Sequence, residues 1–409
     1  MKSGHVTASG WLSPRRVNWI AGILFTIEVL VFALLALATH GYFGPMNPPA
    51  SSDFLSFYAA GKLADQGQAN AVYDQARHWA MERMVFGDPR VPYYYYFYPP
   101  VFTLVCAGLA RLPYLTAFVL FVGTGLVLYL ACLRRIAGNW RIPLLCLSFP
   151  AVPFVIGLGQ NSFLTAAILG SGLMLIDRKP FSAGIVFGLL CYKPHLAVMV
   201  PAALAAGRQA RALAGMAASA SLLLCLSVLV LGPGPWQTEF AHLGAMRRVF
   251  ETGAIPFTGL VSLFGAIRLL RGGVALAYTI HTVGAVIAAA AMIQVWSRPG
   301  PPGPRAASLI AAALAAPPVI LFYDLLPVTI ALAFLARDRS YSGSRPWERG
   351  AWAIIWAIPG LVVVSGEFLH LPIGPLAVFL LLGLALLPHR RRQIAIDAGD
   401  PPVLNAGLP

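Results

Sequence analysis

Charge is what this chain is short of. Asp and Glu number 15 and Lys and Arg 29 among 409 residues, so charged side chains make up 11%. A soluble domain carries about a quarter. A chain this poor in charge cannot cover a globular surface with polar groups, and a bilayer is the solvent that removes that need. Soluble catalytic signatures are missing too: no Walker loop, no dinucleotide fingerprint, no His-Glu-x-x-His helix and no nucleophile elbow. An ATP-driven pump is thereby disfavoured. No fixed-period soluble repeat is present. The five cysteines, Cys106, Cys132, Cys146, Cys191 and Cys225, lack metal-like spacing, and they are read as small hydrophobes rather than a disulfide framework.

What is there is hydrophobic. Apolar residues make up 58% of the chain, gathered in runs separated by short basic gaps. The run from Trp19 to Thr39 has the roughly 20 residues that a membrane helix needs. It is longer than a signal-peptide core and has no small-residue cleavage site, so it is expected to stay as the first span. Further spans are expected at 115–133, 142–156, 160–176, 181–192, 196–206, 210–231, 274–296, 306–321, 323–336, 350–366 and 371–388, after a first at 19–40. Two shorter apolar pieces, 98–112 and 257–271, are expected as half-helices or surface helices. The fold class is therefore all-α integral membrane, a bundle of about 12 transmembrane helices (10–14) with short outer-face helices. One membrane domain fills 19–392. A cytoplasmic N-terminus (1–18) and a cytoplasmic tail (393–409) flank it.

The net charge of +14 fits this threading better than nucleic-acid binding. With the N-terminus inside, the cytoplasmic gaps hold Lys2, Arg15, Arg16, Arg134, Arg135, Arg141, Arg178, Lys179, Arg208, Arg211, Arg298, Arg305, Arg337, Arg339, Arg345, Arg349, Arg390, Arg391 and Arg392. That is most of the 29 basic residues, as the positive-inside rule requires. Two long outer loops remain. The first, 41–114, is expected to hold a helix from Asp53 to Gln66, a second over 74–86, and an aromatic interfacial belt at Tyr93–Pro100. The second, about 232–256, opens at Gly232-Pro233-Gly234-Pro235-Trp236.

The polar residues at helix ends gather on the outer side: Asp53, Gln160, Asn161, Lys193, His195, Tyr323, Asp324, Glu367 and His370. Ionisable groups at membrane depth are costly and tend to be kept for function. Each also has a plainer role open to it. Asp53 is placed to cap a helix, where the N-terminus stabilises a negative charge. Lys193, in Lys193-Pro194-His195, breaks an apolar run. It offers a point charge for phosphate, or it snorkels from a helix end. His195 fits an interfacial histidine as well as a functional one. Gln160 and Asn161 suit sugar hydroxyls or the cap of the next helix. Asp324 again suits a cap. Glu28, inside the first span, has no assigned role.

The order of these pieces resembles glycosyltransferase family 87, polyprenyl-phosphate-mannose-dependent enzymes of the GT-C fold. The matching residues are Asp53-Phe54 with Phe57-Tyr58-Ala59-Ala60-Gly61, Val72-Tyr73-Asp74, Tyr98-Pro99-Pro100, Gly159-Gln160-Asn161, Ala183-Gly184 through Lys193-Pro194, the Trp236 loop and Tyr323-Asp324. They cover about residues 50–330. The resemblance implies a GT-C bundle that takes a sugar, with mannose the expected hexose, from a lipid-phosphate donor on the non-cytoplasmic face of the cell membrane. It implies Asp53, in the first outer loop, as the catalytic acid–base residue, and Lys193 near the donor phosphate. Some relatives carry a histidine near Tyr323-Asp324. Leu321-Phe322-Tyr323-Asp324 has none, which leaves a second catalytic group open.

The chemistry that fits is one inverting displacement. A phosphate leaving group is already charged and needs a nearby cation, from Lys193 or from Arg247 or Arg248. The acceptor hydroxyl needs a base, and Asp53 supplies one. Lys193, His195, Gln160, Asn161, Tyr58, Tyr98, Tyr323 and Asp324 form the expected donor- and substrate-binding set. No metal and no cofactor are called for, unless Asp53, Asp74 and Asp324 converge. The partners are a polyprenyl-phosphate sugar, a lipid or glycan acceptor and membrane lipids, not nucleic acid. The rival class is a transporter or flippase of an amphipathic substrate, which would show polar groups at the bilayer midplane. A third is a membrane partner without activity.

Overall fold

The computed structural model describes residues 14–38, 52–342 and 345–387. The expected N-terminal and C-terminal tails lie largely outside these residues, as does the side chain of Glu28. Helices are the regular secondary structure of the described residues, and an isolated antiparallel bridge joins Leu260 and Leu321.

Among the described residues, four helices are long and apolar enough to cross a membrane: Tyr114–Ala137, Ala210–Leu231, Val274–Trp296 and Trp347–Leu369. A fifth crossing is possible through the pair Arg141–Leu147 and Val152–Leu158, bent by 62° at its break. A dozen full spans is therefore more than these helices supply. The first expected span lies in one helix, Pro14–Ala38, whereas several other apolar runs form short helices such as Ser162–Leu175, Pro180–Gly188, Met199–Ala206 and Gly374–Leu386. Fourteen helical residues reach about 21 Å, short of the roughly 30 Å of a hydrocarbon core. Proline causes several of the breaks. Pro194 starts a new helix and forces Lys193 before it out of the helical region, to φ −134° and ψ 65°.

Small residues let the short helices pack closely. Gly184 and Gly188 face the Ala210–Leu231 helix, and a Cβ on either would run into the Ala212 carbonyl or the Ser219 hydroxyl. This contact is the most extensive helix pair in the molecule. Such close backbone approach is how helices associate where lipid offers no hydrophobic contrast. The segments around residues 303 and 338–348 are tied by buried charge. Arg339 Nε lies 3.0 Å from Glu348 Oε2, with both side chains nearly inaccessible, and Asp338 accepts the Gly303 N–H at 2.6 Å.

The segments expected as outer loops differ from expectation in three ways. The Ser52–Asp65 helix forms where expected but is no surface helix: Phe54 through Gly61 are all buried, because its apolar residues cover every face. It packs against Pro100–Ala110, with Gly61 against the Cys106 carbonyl. The aromatic stretch is no simple interfacial belt either. Tyr96 and Tyr98 point inward and are buried, whereas Tyr93, Tyr95 and Phe97 are half-buried. An extended chain sends alternate side chains to opposite faces. Finally, the 232–256 loop is mostly one helix, Gly234–Thr252, and 257–271 is a single turn, a bridge and the short helix Leu263–Leu269. As for the cysteines, Cys106, Cys132 and Cys146 are buried, Cys191 is half-buried and Cys225 is exposed.

Candidate active site

Asp53 sits in the first turn of the Ser52–Asp65 helix, where the helix N-terminus favours a negative charge. The neighbouring Phe54 locks it in place. The Phe54 ring meets Tyr114 and Phe118 edge-on at 5.3 Å each. The Phe54 Cβ lies against Gly159, which ends the Val152–Leu158 helix at φ +69°. A Cβ at Gly159 would come within 2.5 Å of Phe54 Cβ. Only glycine gives both the positive φ and this close approach. The next residue, Gln160, then faces Asp53.

From there a chain of hydrogen bonds runs inward. Gln160 Nε2 donates to Asp53 Oδ2 at 2.9 Å. Gln160 Oε1 accepts the Asn161 N–H at 3.1 Å and the Tyr98 hydroxyl at 3.3 Å. Donors on one end and an acceptor on the other fix which way the amide points. Asn161 Oδ1 accepts from Lys193 Nζ at 3.1 Å, and Lys193 Nζ donates to Asp324 Oδ1 at 2.6 Å. Ser162 Oγ also donates to Asp324 Oδ1, at 3.4 Å. Asp324 Oδ2 accepts the Leu321 N–H at 3.4 Å, so it caps its turn and serves the cluster at once. Next to the Leu260–Leu321 bridge, the Val261 N–H donates to Ile320 O at 2.9 Å, which holds that turn in place.

The two ends of the chain differ electrostatically. Asp53 keeps part of its surface open. Burial pushes its carboxyl up to about 6; the Gln160 hydrogen bond pulls it down, nearby Asp324 raises it, and Lys193 lowers it. A carboxyl tuned near neutrality, partly open and held by one hydrogen bond, suits a group that takes and returns a proton. Lys193 and Asp324 are closed in, at 3% and 7% side-chain exposure. The Lys193 ammonium has three N–H groups, of which Asp324 and Asn161 take two. It therefore enters the site already paired.

Tyr323 lies beside Gln160 and the Asp53 and Asp324 carboxyls. His195 is near Lys193 and Asp324, with no hydrogen bond to its ring among the described residues. Tyr58 stands outside the chain, its hydroxyl donating to the Leu112 carbonyl at 2.7 Å. Glu367 accepts from Thr258 at 2.8 Å, and His370 ends a helix at φ 53°; neither joins the cluster. Asp74 does not converge with Asp53 and Asp324, because it caps Gln75–Phe86 by accepting Ala76 and Arg77 N–H groups at 3.0 and 3.1 Å. No group of three His, Cys, Asp or Glu side chains among the described residues is arranged to hold a metal ion. Ser162 was missed in the sequence; its place directly after Gln160-Asn161 was the available signal.

A groove of about 250 Å³ runs along this site. It is lined mostly by apolar side chains, among them Val105, Leu109, Leu120 and Leu128, and also by Gln160 and Asn161. Val105, Leu120 and Leu128 are exposed on the outside of the bundle. The Asn161 Nδ2 donor is buried and has no partner among the described residues.

The sequence model of glycosyltransferase family 87 matches residues 96–322. The chain belongs to that family. No curated protein and no solved structure matches it. The matched stretch takes in Tyr98, Gln160, Asn161 and Lys193, while Asp53 lies before it and Tyr323 and Asp324 follow it. Membership in family 87 makes glycosyl transfer the activity, with a donor and an acceptor to accommodate, in a protein whose apolar helices suit a membrane.

Proposed function

We propose that the protein transfers a hexose, mannose first among the sugars to test, from a polyprenyl-phosphate donor to a lipid or glycan hydroxyl. It does so on the non-cytoplasmic face of the cell membrane, from a GT-C type bundle. The observation that carries this is one of layout. A mostly apolar groove with exposed side chains at Val105, Leu120 and Leu128 is also lined by the buried amides of Gln160 and Asn161, and those amides lead to a partly open carboxylate. An amphipathic donor has that layout, with a hydrocarbon tail followed by a phosphate and a sugar. The unpartnered Asn161 Nδ2 and the third Lys193 N–H are donors suited to phosphate oxygens.

Asp53 is the base in this mechanism. The acceptor oxygen attacks the anomeric carbon as its proton passes to Asp53. The bond from that carbon to the phosphate oxygen breaks, and its electrons stay on the phosphate. One displacement inverts the anomeric centre. The leaving phosphate needs no proton, so a single carboxylate suffices. The Lys193–Asp324 pair supplies a fixed dipole beside the leaving group, and fixed dipoles aimed at developing charge lower the barrier without reorganisation.

The test is transfer from radiolabelled polyprenyl-phosphate-mannose by membranes holding wild type or Asp53→Asn at matched levels. Label entering a new lipid or glycan with wild type alone is the expected result. Equal transfer by Asp53→Asn overturns the role of Asp53. No transfer by wild type from any lipid-phosphate hexose overturns the donor class.

A further inference from the structure

A second polar cluster lies under the outer helices, apart from the chain just described. His78 and Glu82 stand one turn apart on the Gln75–Phe86 helix, and both side chains are fully inaccessible. His78 Nε2 lies 3.1 Å from the Ser56 carbonyl, on the helix that carries Asp53. Glu82 Oε2 accepts the Tyr94 N–H at 3.1 Å, on the aromatic segment. The two remaining atoms face each other: His78 Nδ1 and Glu82 Oε1 are 3.6 Å apart, and neither has another partner among the described residues.

The proton inventory follows from the partners. A carbonyl oxygen only accepts, so Nε2 must carry the imidazole proton. Nδ1 is then a bare acceptor in the neutral ring. An ionised Glu82 would set a second acceptor against it. At 3.6 Å one more proton on either atom would remove this opposition, as imidazolium with carboxylate or as imidazole with carboxylic acid. In a fully closed setting the neutral pair avoids the desolvation of two charges. We propose that Glu82 is held as a neutral carboxylic acid that donates to His78 Nδ1, and that this pair is the brace positioning the aromatic segment against Asp53.

The surroundings agree. Burial pushes Glu82 up to about 9, and it pushes His78 down to about 4. The ionisable groups facing the pair are Tyr93, Tyr94 and Tyr96 of the aromatic segment. Tyr73 of the Ala69–Tyr73 turn lies behind Tyr96, and Asp53 bears on Tyr94 from the head of its helix. None of these supplies a cation to hold Glu82 ionised. What the brace holds is functional. Its three anchor points are the Asp53 helix at Ser56, the Gln75–Phe86 helix, and Tyr94, whose phenol lies within electrostatic reach of Asp53. Four residues on, Tyr98 donates to Gln160. Glu82 is thus a positioning residue for the sugar-transfer reaction proposed above, and its functional part rests on that reading.

Glu82→Gln separates the possibilities, because an amide keeps an acceptor for Tyr94 and a donor for His78. In purified wild-type protein at neutral pH, infrared spectroscopy should find a protonated-carboxyl band that is absent from Glu82→Gln. No such difference overturns the neutral acid, whether or not transfer is observed. In transfer assays, Glu82→Gln should stay close to wild type while losing an alkaline fall in rate that wild type shows as Glu82 ionises. Glu82→Ala should lose about 100-fold, the scale of a 1 Å misplacement. Glu82→Gln falling as far as Glu82→Ala, or keeping the alkaline limb, overturns the positioning role. A wild type without transfer activity defeats only the reaction assignment, and the infrared result still decides the proton.

Discussion

The Gln160 amide donates to Asp53 Oδ2 at 2.9 Å, across 107 positions of sequence. It is the one hydrogen bond to Asp53 among the described residues, and it draws the carboxyl downward against burial. Gln160→Leu should therefore move the acid limb of kcat/KM upward from about 6. Gln160→Glu should move it further, since a second carboxylate disfavours ionisation. A pH–rate series on the two variants checks this; a limb that stays put removes Asp53 from the rate law.

Asp53 also predicts a conflict between stability and activity. Burial raises its folded carboxyl from the ordinary 3.8 to about 6. The folded state then holds the proton more tightly than the unfolded chain does. Its stabilising contribution is fully present below about 4 and is lost as pH rises through about 6. At neutral pH the ionised group works against the fold. Asp53→Asn should raise the melting temperature at pH 7 while abolishing transfer, with little change at pH 4.

The buried Lys193–Asp324 pair calls for a double-variant cycle. Lys193→Met alone leaves Asp324 closed in and unpaired, at a cost of about 3–5 kcal/mol. Lys193→Met with Asp324→Leu should recover most of that stability without recovering transfer. Recovery of both would make the pair structural only.

Gly159→Ala tests the local geometry. Its positive φ alone costs about 1–3 kcal/mol for a residue with a Cβ, and the Phe54 contact adds to it. Lower stability should come with lost activity, because Gly159 sets the distance between Asp53 and Gln160. Outside the hydrogen-bonded chain, Glu348→Gln should lower stability by weakening the buried Arg339 pair, with KM unchanged.

Much of this site was legible in the sequence, for reasons visible in particular residues. Asp53, Gln160, Lys193 and Asp324 were drawn together because the expected threading puts each at a helix end on one side, and ionisable groups at membrane depth are rarely without cause. The Lys193-Pro194 break was readable because proline restricts the residue before it. Pairing was not readable. Nothing local to Lys193 tells that its ammonium meets Asp324, 131 residues away. Helix length was also misjudged, since apolar runs such as 142–156 look continuous until the bend between Leu147 and Val152 divides them. The His78–Glu82 pair had a signal, two ionisable residues four apart on a helix, but that spacing reads equally well as a solvated face.

The amide of Gln160 has one more consequence. It connects Asp53 to the Lys193–Asp324 pair by hydrogen bonds, yet an amide does not pick up and pass on protons as a hydroxyl or carboxyl does. The chain of contacts is mechanically continuous and protonically insulated at Gln160. A proton taken by Asp53 cannot drain inward to Asp324; it leaves by the open side of the carboxyl. Each turnover would then acidify only the compartment that Asp53 faces, and a pH dye sealed inside or outside vesicles would report which one that is.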